Sequence, residues 1–268
     1  MRILLGGCFN KIHLGHVYLL TEARYLAGDH GQVFLWVVLT HDKNNFKKNF
    51  RPAEIRIKNL ESLGLVHRVI VGDRHDFLKT TARAGPDMIF LGYDQEVPRL
   101  LRKYLKEKKI RVKRIDKLKG YRRKNNQVIG RVFQVIGRGA HFMGIKRYKQ
   151  ALERKLGLVF SPGTLNLELA RENVFDLMDK KSFIKIKGFK REGKNYGSLL
   201  LYPIVLKKYN FYKGRLKLPL KGNVRREKAW VVIPFKTSYN SRVIEIIRAK
   251  GVGEFFDLRN DDLLEVAF

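Results

Sequence analysis

His13 and His16 stand three residues apart in "GGCFNKIHLGHVYLL" (residues 6–20), just past a Gly6-Gly7 turn that follows the apolar run Ile3-Leu4-Leu5. Imidazole nitrogens at the start of a helix can donate hydrogen bonds to a phosphate, and the helix dipole attracts the same anion. Cys8, the only cysteine of the chain, shares this stretch. The resulting C-x4-H-x2-H lacks the paired spacing of a structural zinc site and needs at least one more ligand. Two ordinary histidines at a helix start would bind nothing. A second constellation lies in "GLVFSPGTLNLEL" (157–169), where Thr164 and Asn166 are two apart. On an extended segment they share a face. A hydroxyl and an amide oxygen make a neutral pair for Mg²⁺, an ion that keeps several waters and draws much of its binding from nucleotide phosphates. Pro-Gly-Thr-Leu-Asn equally reads as a turn leading into a strand.

The elements that must position these residues differ between the two halves. Apolar β-type runs at 2–5, 33–39, 67–72, 87–92 and 110–115 alternate with helical stretches at 15–27, 52–63, 75–84 and 95–108. That alternation predicts a mostly parallel sheet with helices on both faces and right-handed crossovers. The pattern changes at "KLKGYRRKNNQ" (117–127), a polar, basic junction. Beyond it come strand-like segments with Gly and Pro punctuation: "VIGRVFQVIG", "SFIKIKGF", "GSLLLYPIVLKK", "RLKLPL", "KAWVVIPF" and "DLLEVAF". Helical patterns remain at 144–156 and 241–249. Short strands at near-regular spacing predict a barrel or a sandwich.

The 268 residues are 44% hydrophobic and 30% charged, the profile of a globular chain with room for two cores. No apolar run approaches the roughly 20 residues that span a bilayer, and the N-terminus lacks the apolar segment of a signal peptide. A cytoplasmic chain is expected, with no membrane partner. The net charge of +31 is spread evenly, with 27 basic against 12 acidic residues in 1–125 and 29 against 13 in 126–268. A polyanionic small substrate accounts for such a spread as well as RNA or DNA would. Neither an RNP-type aromatic pattern nor a helix-turn-helix signal points to nucleic acid, and nothing implies an obligate protein partner.

The first constellation resembles the nucleotidyltransferase signature G-[ST]-F-D-x-x-H-x-G-H. "RPAEIRIKNLESLGLVHRVIVG", "PDMIFLGYDQ" and "KGYRRK" narrow the resemblance, over residues 1 to about 124, to the archaeal FAD synthetases. It implies a Rossmann-like α/β domain over 1–124 that transfers the adenylyl group of ATP to FMN and releases pyrophosphate. By position, Cys8, Phe9, His13, Leu14, Gly15, His16, Asp94 and Tyr121 would bind ATP, and His13 and His16 would be catalytic. Three departures stand out: Cys8 replaces the signature's Thr, Asn10 replaces its Asp, and the Ser-rich segment that usually follows "GYKK" is missing. Lys47, Lys48, Arg51 and Arg122 to Lys124 could supply anion contacts in its place.

The second half contains, in order, "VIGRGAHF", "GTLN" and "AWVVIPFKTSYNSRVIEIIRAKGVGEFFDLRNDDLLEVAF". This series resembles the archaeal CTP-dependent riboflavin kinases, a small Greek-key β-barrel, over about residues 128–268; the domain is expected to span 125–268. The resemblance implies that Gly137, Arg138, Gly139, Ala140, His141 and Phe142, together with Lys250, Gly251, Val252 and Gly253, bind CTP or CDP. Thr164 and Asn166 would hold Mg²⁺, and Thr237 and Glu245 would contact the flavin. Glu245 also has a chemical role open to it, since a carboxylate near the ribityl 5′-hydroxyl can orient it or accept its proton. The alternative is a surface glutamate on a short helix.

Joined, the halves imply a two-step flavin cofactor pathway with riboflavin, FMN, CTP and ATP as substrates. Two rivals stand beside it. One is a riboflavin kinase whose N-terminal domain only binds nucleotide, and the other is a basic nucleic-acid-binding protein on the same folds.

Overall fold

The computed structural model describes residues 1–26, 32–122, 124–133, 143–160, 163–171, 173–178, 182–234, 242–249 and 257–268. The chain divides into two compact units, one of residues 1–123 with 210–223, the other of 124–209 with 224–268.

In the first unit five parallel strands, β1 (Arg2–Gly7), β2 (Phe34–Leu39), β3 (Arg68–Val71), β4 (Met88–Leu91) and β5 (Arg111–Arg114), lie in the order β3-β2-β1-β4-β5. Helices α1 (Leu14–Tyr25), α2 (Ala53–Glu61), α3 (Phe77–Ala84) and α4 (Arg99–Glu107) alternate with them. β1 is central, and Ile3, Leu4 and Leu5 are all buried although they point to alternate faces, as in a sheet covered on both sides. The chain order reverses beside β1, between β2 and β4, and ligands of open α/β sheets bind in the crevice at the carboxyl ends of such strands. His13 and His16 follow the carboxyl end of β1.

The second unit closes a ring of six antiparallel strands: β6 (Gln127–Val132), β7 (Leu165–Leu169), β11 (Leu199–Tyr209), β14 (Val224–Pro234), β15 (Val243–Arg248) and β16 (Leu263–Ala267). The order is β14-β15-β7-β6-β16-β11, and β11 pairs again with β14 to complete the barrel, with the short β8 (Ile184–Ile186) added outside the ring on β11 and β9 (Phe189–Arg191) and β10 (Lys194–Tyr196) forming a separate antiparallel hairpin. The interior is solid with aliphatic side chains, among them Val128, Val132, Leu165, Leu167, Leu169, Ala229, Val231, Ile244, Ile246, Leu264 and Val266. Gly130 shares the inward face of β6, where a Cβ would meet Leu169 Cδ2 at 2.9 Å. Helix α5 (Lys146–Leu156) covers part of the outer wall, with Tyr148 and Leu152 in one buried cluster with Trp230, Val232 and Ile247.

The helical pattern read at 241–249 is overturned, because its described part is strand β15. "RLKLPL" forms only the two-residue strand β13 (Arg215–Leu216), paired with β12 (Phe211–Tyr212). Pro219, which has no N–H to donate, lies beyond the strand's end.

Candidate active sites

In the first unit, the turn after β1 and the start of α1 form one wall of a cavity of about 850 Å³. Cys8, Phe9, His13, Gly15, His16, Asp94 and Tyr121 line it, as do Lys47, Lys48, Gln95 and Lys117. Leu14 is not among the lining residues; its side chain is 1% exposed. His13 occupies the N-cap of α1 in extended conformation. Its ring stacks on that of His16 at 3.9 Å between centroids, and the Phe9 ring lies 4.7 Å from His16. Gly15 makes room for this stack, since a Cβ there would stand 3.1 Å from two His13 ring atoms. The turn itself is tight: Phe9 has φ +49°, and a Cβ on Gly7 would lie 2.8 Å from the Phe9 ring. Cys8 Sγ donates to Thr40 Oγ1 at 3.5 Å, a packing role for the thiol. No group of three or more His, Cys, Asp or Glu among the described residues is placed to hold a metal ion.

Several residues that shape this cavity escaped the sequence reading. Arg56, wholly buried, donates to the carbonyls of Cys8 at 2.9 Å and Thr40 at 2.8 Å and pairs with Asp42, tying the β1 and β2 ends to α2. Its signal was available: on a 52–63 helix it falls three and four residues before the buried Asn59 and Leu60, and a charge on a buried face calls for partners. Gln95 joins the ends of β4 and β1, accepting from Gly92 N at 2.7 Å and donating to the Gly6 carbonyl at 2.8 Å. Asn45 pairs with Asn10. Arg51 donates its backbone N–H to Asn10 Oδ1 at 3.3 Å.

In the second unit Thr164 precedes β7 and Asn166 lies within it; Thr164 Oγ1 donates to Asn166 Oδ1 at 3.4 Å. A hydroxyl and an amide oxygen held this close are the neutral oxygen donors that a Mg²⁺ ion accepts, so this donor pair fits that ion. β15 pairs with β7 so that Glu245 is directly opposite Asn166, on the outward face of the barrel. Both are buried, Asn166 to 4% and Glu245 to 7% exposure. Glu245 therefore belongs to a strand and not to an exposed short helix. Thr237 and the expected nucleotide segments, Gly137 to Phe142 and Lys250 to Gly253, lie outside the described residues. Glu227 is a buried carboxylate on β14 that no motif singled out. Burial pushes its pKa up to about 7, against a smaller opposing pull from Arg248.

Comparison with known proteins returns two family models. Residues 4–150 match the family described as cytidylyltransferase-like, and residues 132–268 match a CTP-dependent riboflavin kinase model described as a domain of unknown function, DUF120. The chain is similar to the FAD synthase of Thermoplasma volcanium, at 33% identity over 143 residues, 51% of this chain and 97% of that protein. It is also similar to the FAD synthases of Methanosarcina acetivorans and Methanopyrus kandleri, each at 36% identity over about a third of this chain. Those two matches span only 60% and 65% of the relatives' own lengths. Among solved structures, the lipopolysaccharide core biosynthesis protein of Thermoplasma volcanium aligns at 32% identity, covering 44% of this chain and 97% of its own, with a TM-score of 0.38.

Proposed function

Because the chain belongs to the cytidylyltransferase-like family over residues 4–150 and to the CTP-dependent riboflavin kinase domain family over residues 132–268, we propose that it makes FAD from riboflavin in two steps. The kinase domain, residues 125–268, converts riboflavin and CTP to FMN and CDP. The adenylyltransferase domain, residues 1–124, converts FMN and ATP to FAD and pyrophosphate. The observation that carries this reading is the cavity on which His13, Gly15, His16, Asp94 and Tyr121 converge from three separate segments at the carboxyl end of a parallel sheet.

In the adenylyltransferase step an FMN phosphate oxygen attacks the α-phosphorus of ATP and pyrophosphate leaves. His13 and His16 donate to phosphate oxygens, the positive end of α1 adds to their field, and no covalent bond to the enzyme is needed. Cys8, Phe9, Asp94 and Tyr121, which line the same cavity, complete the ATP site. In the kinase step Glu245 orients the ribityl 5′-hydroxyl and accepts its proton as the bond to the CTP γ-phosphorus forms. Thr164 and Asn166 would hold Mg²⁺, which would neutralise charge on the nucleotide phosphates. Thr237 contacts the flavin, while Gly137 to Phe142 and Lys250 to Gly253 hold the cytidine nucleotide. No helix among the described residues is long and apolar enough to cross a membrane, and we place the enzyme in the cytoplasm.

The test is incubation with riboflavin, CTP, ATP and Mg²⁺, followed by chromatographic separation of FMN and FAD. Omitting CTP should abolish both products, and omitting ATP should leave FMN alone. FMN without FAD in the complete mixture would reduce the first domain to a nucleotide-binding one.

A further inference from the structure

Asn10 stands where the nucleotidyltransferase signature carries a carboxylate, and its surroundings call for an amide. Asn10 Nδ2 donates to Asn45 Oδ1 at 3.0 Å, and Asn45 Nδ2 donates back to Asn10 Oδ1 at 2.7 Å. The same Asn10 oxygen accepts the backbone N–H of Arg51 at 3.3 Å. Both ends of the segment 45–51 therefore converge on one side chain of the β1–α1 turn. Between them Lys47, Lys48 and Asn49 line the cavity that holds His13 and His16. Asn45 is 5% exposed, whereas residues 46–50 are exposed and Phe46 is 90% so. The loop has little apolar packing of its own, and the paired amides supply the anchorage that its middle lacks.

We propose that Asn10 and Asn45 are positioning residues for nucleotidyl transfer, fixing the 45–51 loop so that Lys47 and Lys48 meet the ATP phosphates, an inference that rests on the adenylyltransferase reading above. Each carboxamide offers one donor and one acceptor to the other, a match that a carboxylate, having acceptors only, cannot make. Aspartate at position 10 would keep the bonds from Asn45 Nδ2 and Arg51 N but set its second oxygen against Asn45 Oδ1. A neutral pair also leaves the charge of both lysines for the substrate.

The test uses the full chain with Asn10→Asp, Asn10→Ala, Asn45→Ala and the double alanine variant. It measures KM for ATP and kcat of FAD formation, with FMN formation and melting temperature as controls of folding. The expected result is a roughly tenfold rise in KM for ATP in each single variant, the scale of one or two neutral hydrogen bonds, with kcat changed less than about twofold. Because the pair acts as a unit, the double variant should be no worse than the worse single one. Losses that multiply in the double variant, or a fall in melting temperature with KM unchanged, would overturn the proposal. If the unmodified chain forms no FAD, the adenylyltransferase reading fails. The pairing is then judged by calorimetric ATP binding, where a roughly tenfold weaker Kd in Asn10→Asp sustains it and an unchanged Kd overturns it.

Discussion

Glu245 and Asn166 face each other across the β15–β7 ladder, on the outward side of a barrel whose interior is filled by aliphatic side chains. Direct opposition in an antiparallel pair brings Cβ atoms to about 5 Å, so a hydroxyl bound over this pair can reach the carboxylate and the amide together. Glu245→Gln is expected to lower kcat for FMN formation by roughly a hundredfold, the scale of general-base catalysis, with riboflavin binding retained. Full turnover with weakened flavin binding would make Glu245 a binding contact only.

Gly15→Ala separates activity from stability. The new methyl would press on the His13 ring from 3.1 Å and tilt it off the His16 stack. A roughly tenfold or larger loss of FAD formation is expected from such misplacement, while removing a helix glycine holds or raises the melting temperature. FMN formation, measured in parallel, should not change.

Glu227 gives stability a pH dependence. Its folded pKa of about 7 lies above the ordinary 4.5 because burial disfavours the carboxylate. The folded state thus binds more protons than the unfolded state between those values, and stability falls as pH rises through the window. Glu227→Gln should be near neutral at pH 4 and stabilising by about 3 kcal/mol at pH 8. Urea titrations at the two pH values check this.

Arg215 on β13 grips Glu22 on α1 with both carboxylate oxygens engaged, at 2.7 and 2.5 Å, and its guanidinium lies 4.2 Å from the Tyr25 ring centroid. The Glu22 side chain is only 12% exposed. Arg215→Ala leaves that carboxylate without its cation and should cost the first unit roughly 2 kcal/mol, seen in a lower denaturant midpoint. Glu22→Gln in the same background should recover part of the loss.

The alternating half was legible because the second and third helices end before Gly64 and Gly85 and strands such as β2 (FLWVVL) and β4 (MIFL) are unbroken apolar runs; the expected strand at 87–92, for example, is β4 at 88–91. The misreading at 241–249 has a physical cause. Ile244 and Ile246 fill the barrel, while Ile247 packs under α5 on the outside, so burial on both faces erases the period-two signature and leaves apolar spacing that mimics a helix. Asn45 and Gln95 could not be found from sequence because their meaning lies in partners 35 and 89 residues away. The histidines, by contrast, are arranged by their immediate neighbours Phe9 and Gly15, and that is local information.

The first unit is not a contiguous stretch of chain. It is completed by residues 210–223, which arrive between two barrel strands long after the junction at 117–127. Cutting the gene after codon 124 would therefore yield a polypeptide missing one of its own pieces, with Tyr25 and Glu22 stripped of their cover. The two units cannot be parted with a single cut. Any division that keeps the first one whole must also supply the hairpin, as an added peptide or by grafting 210–223 onto the shorter chain.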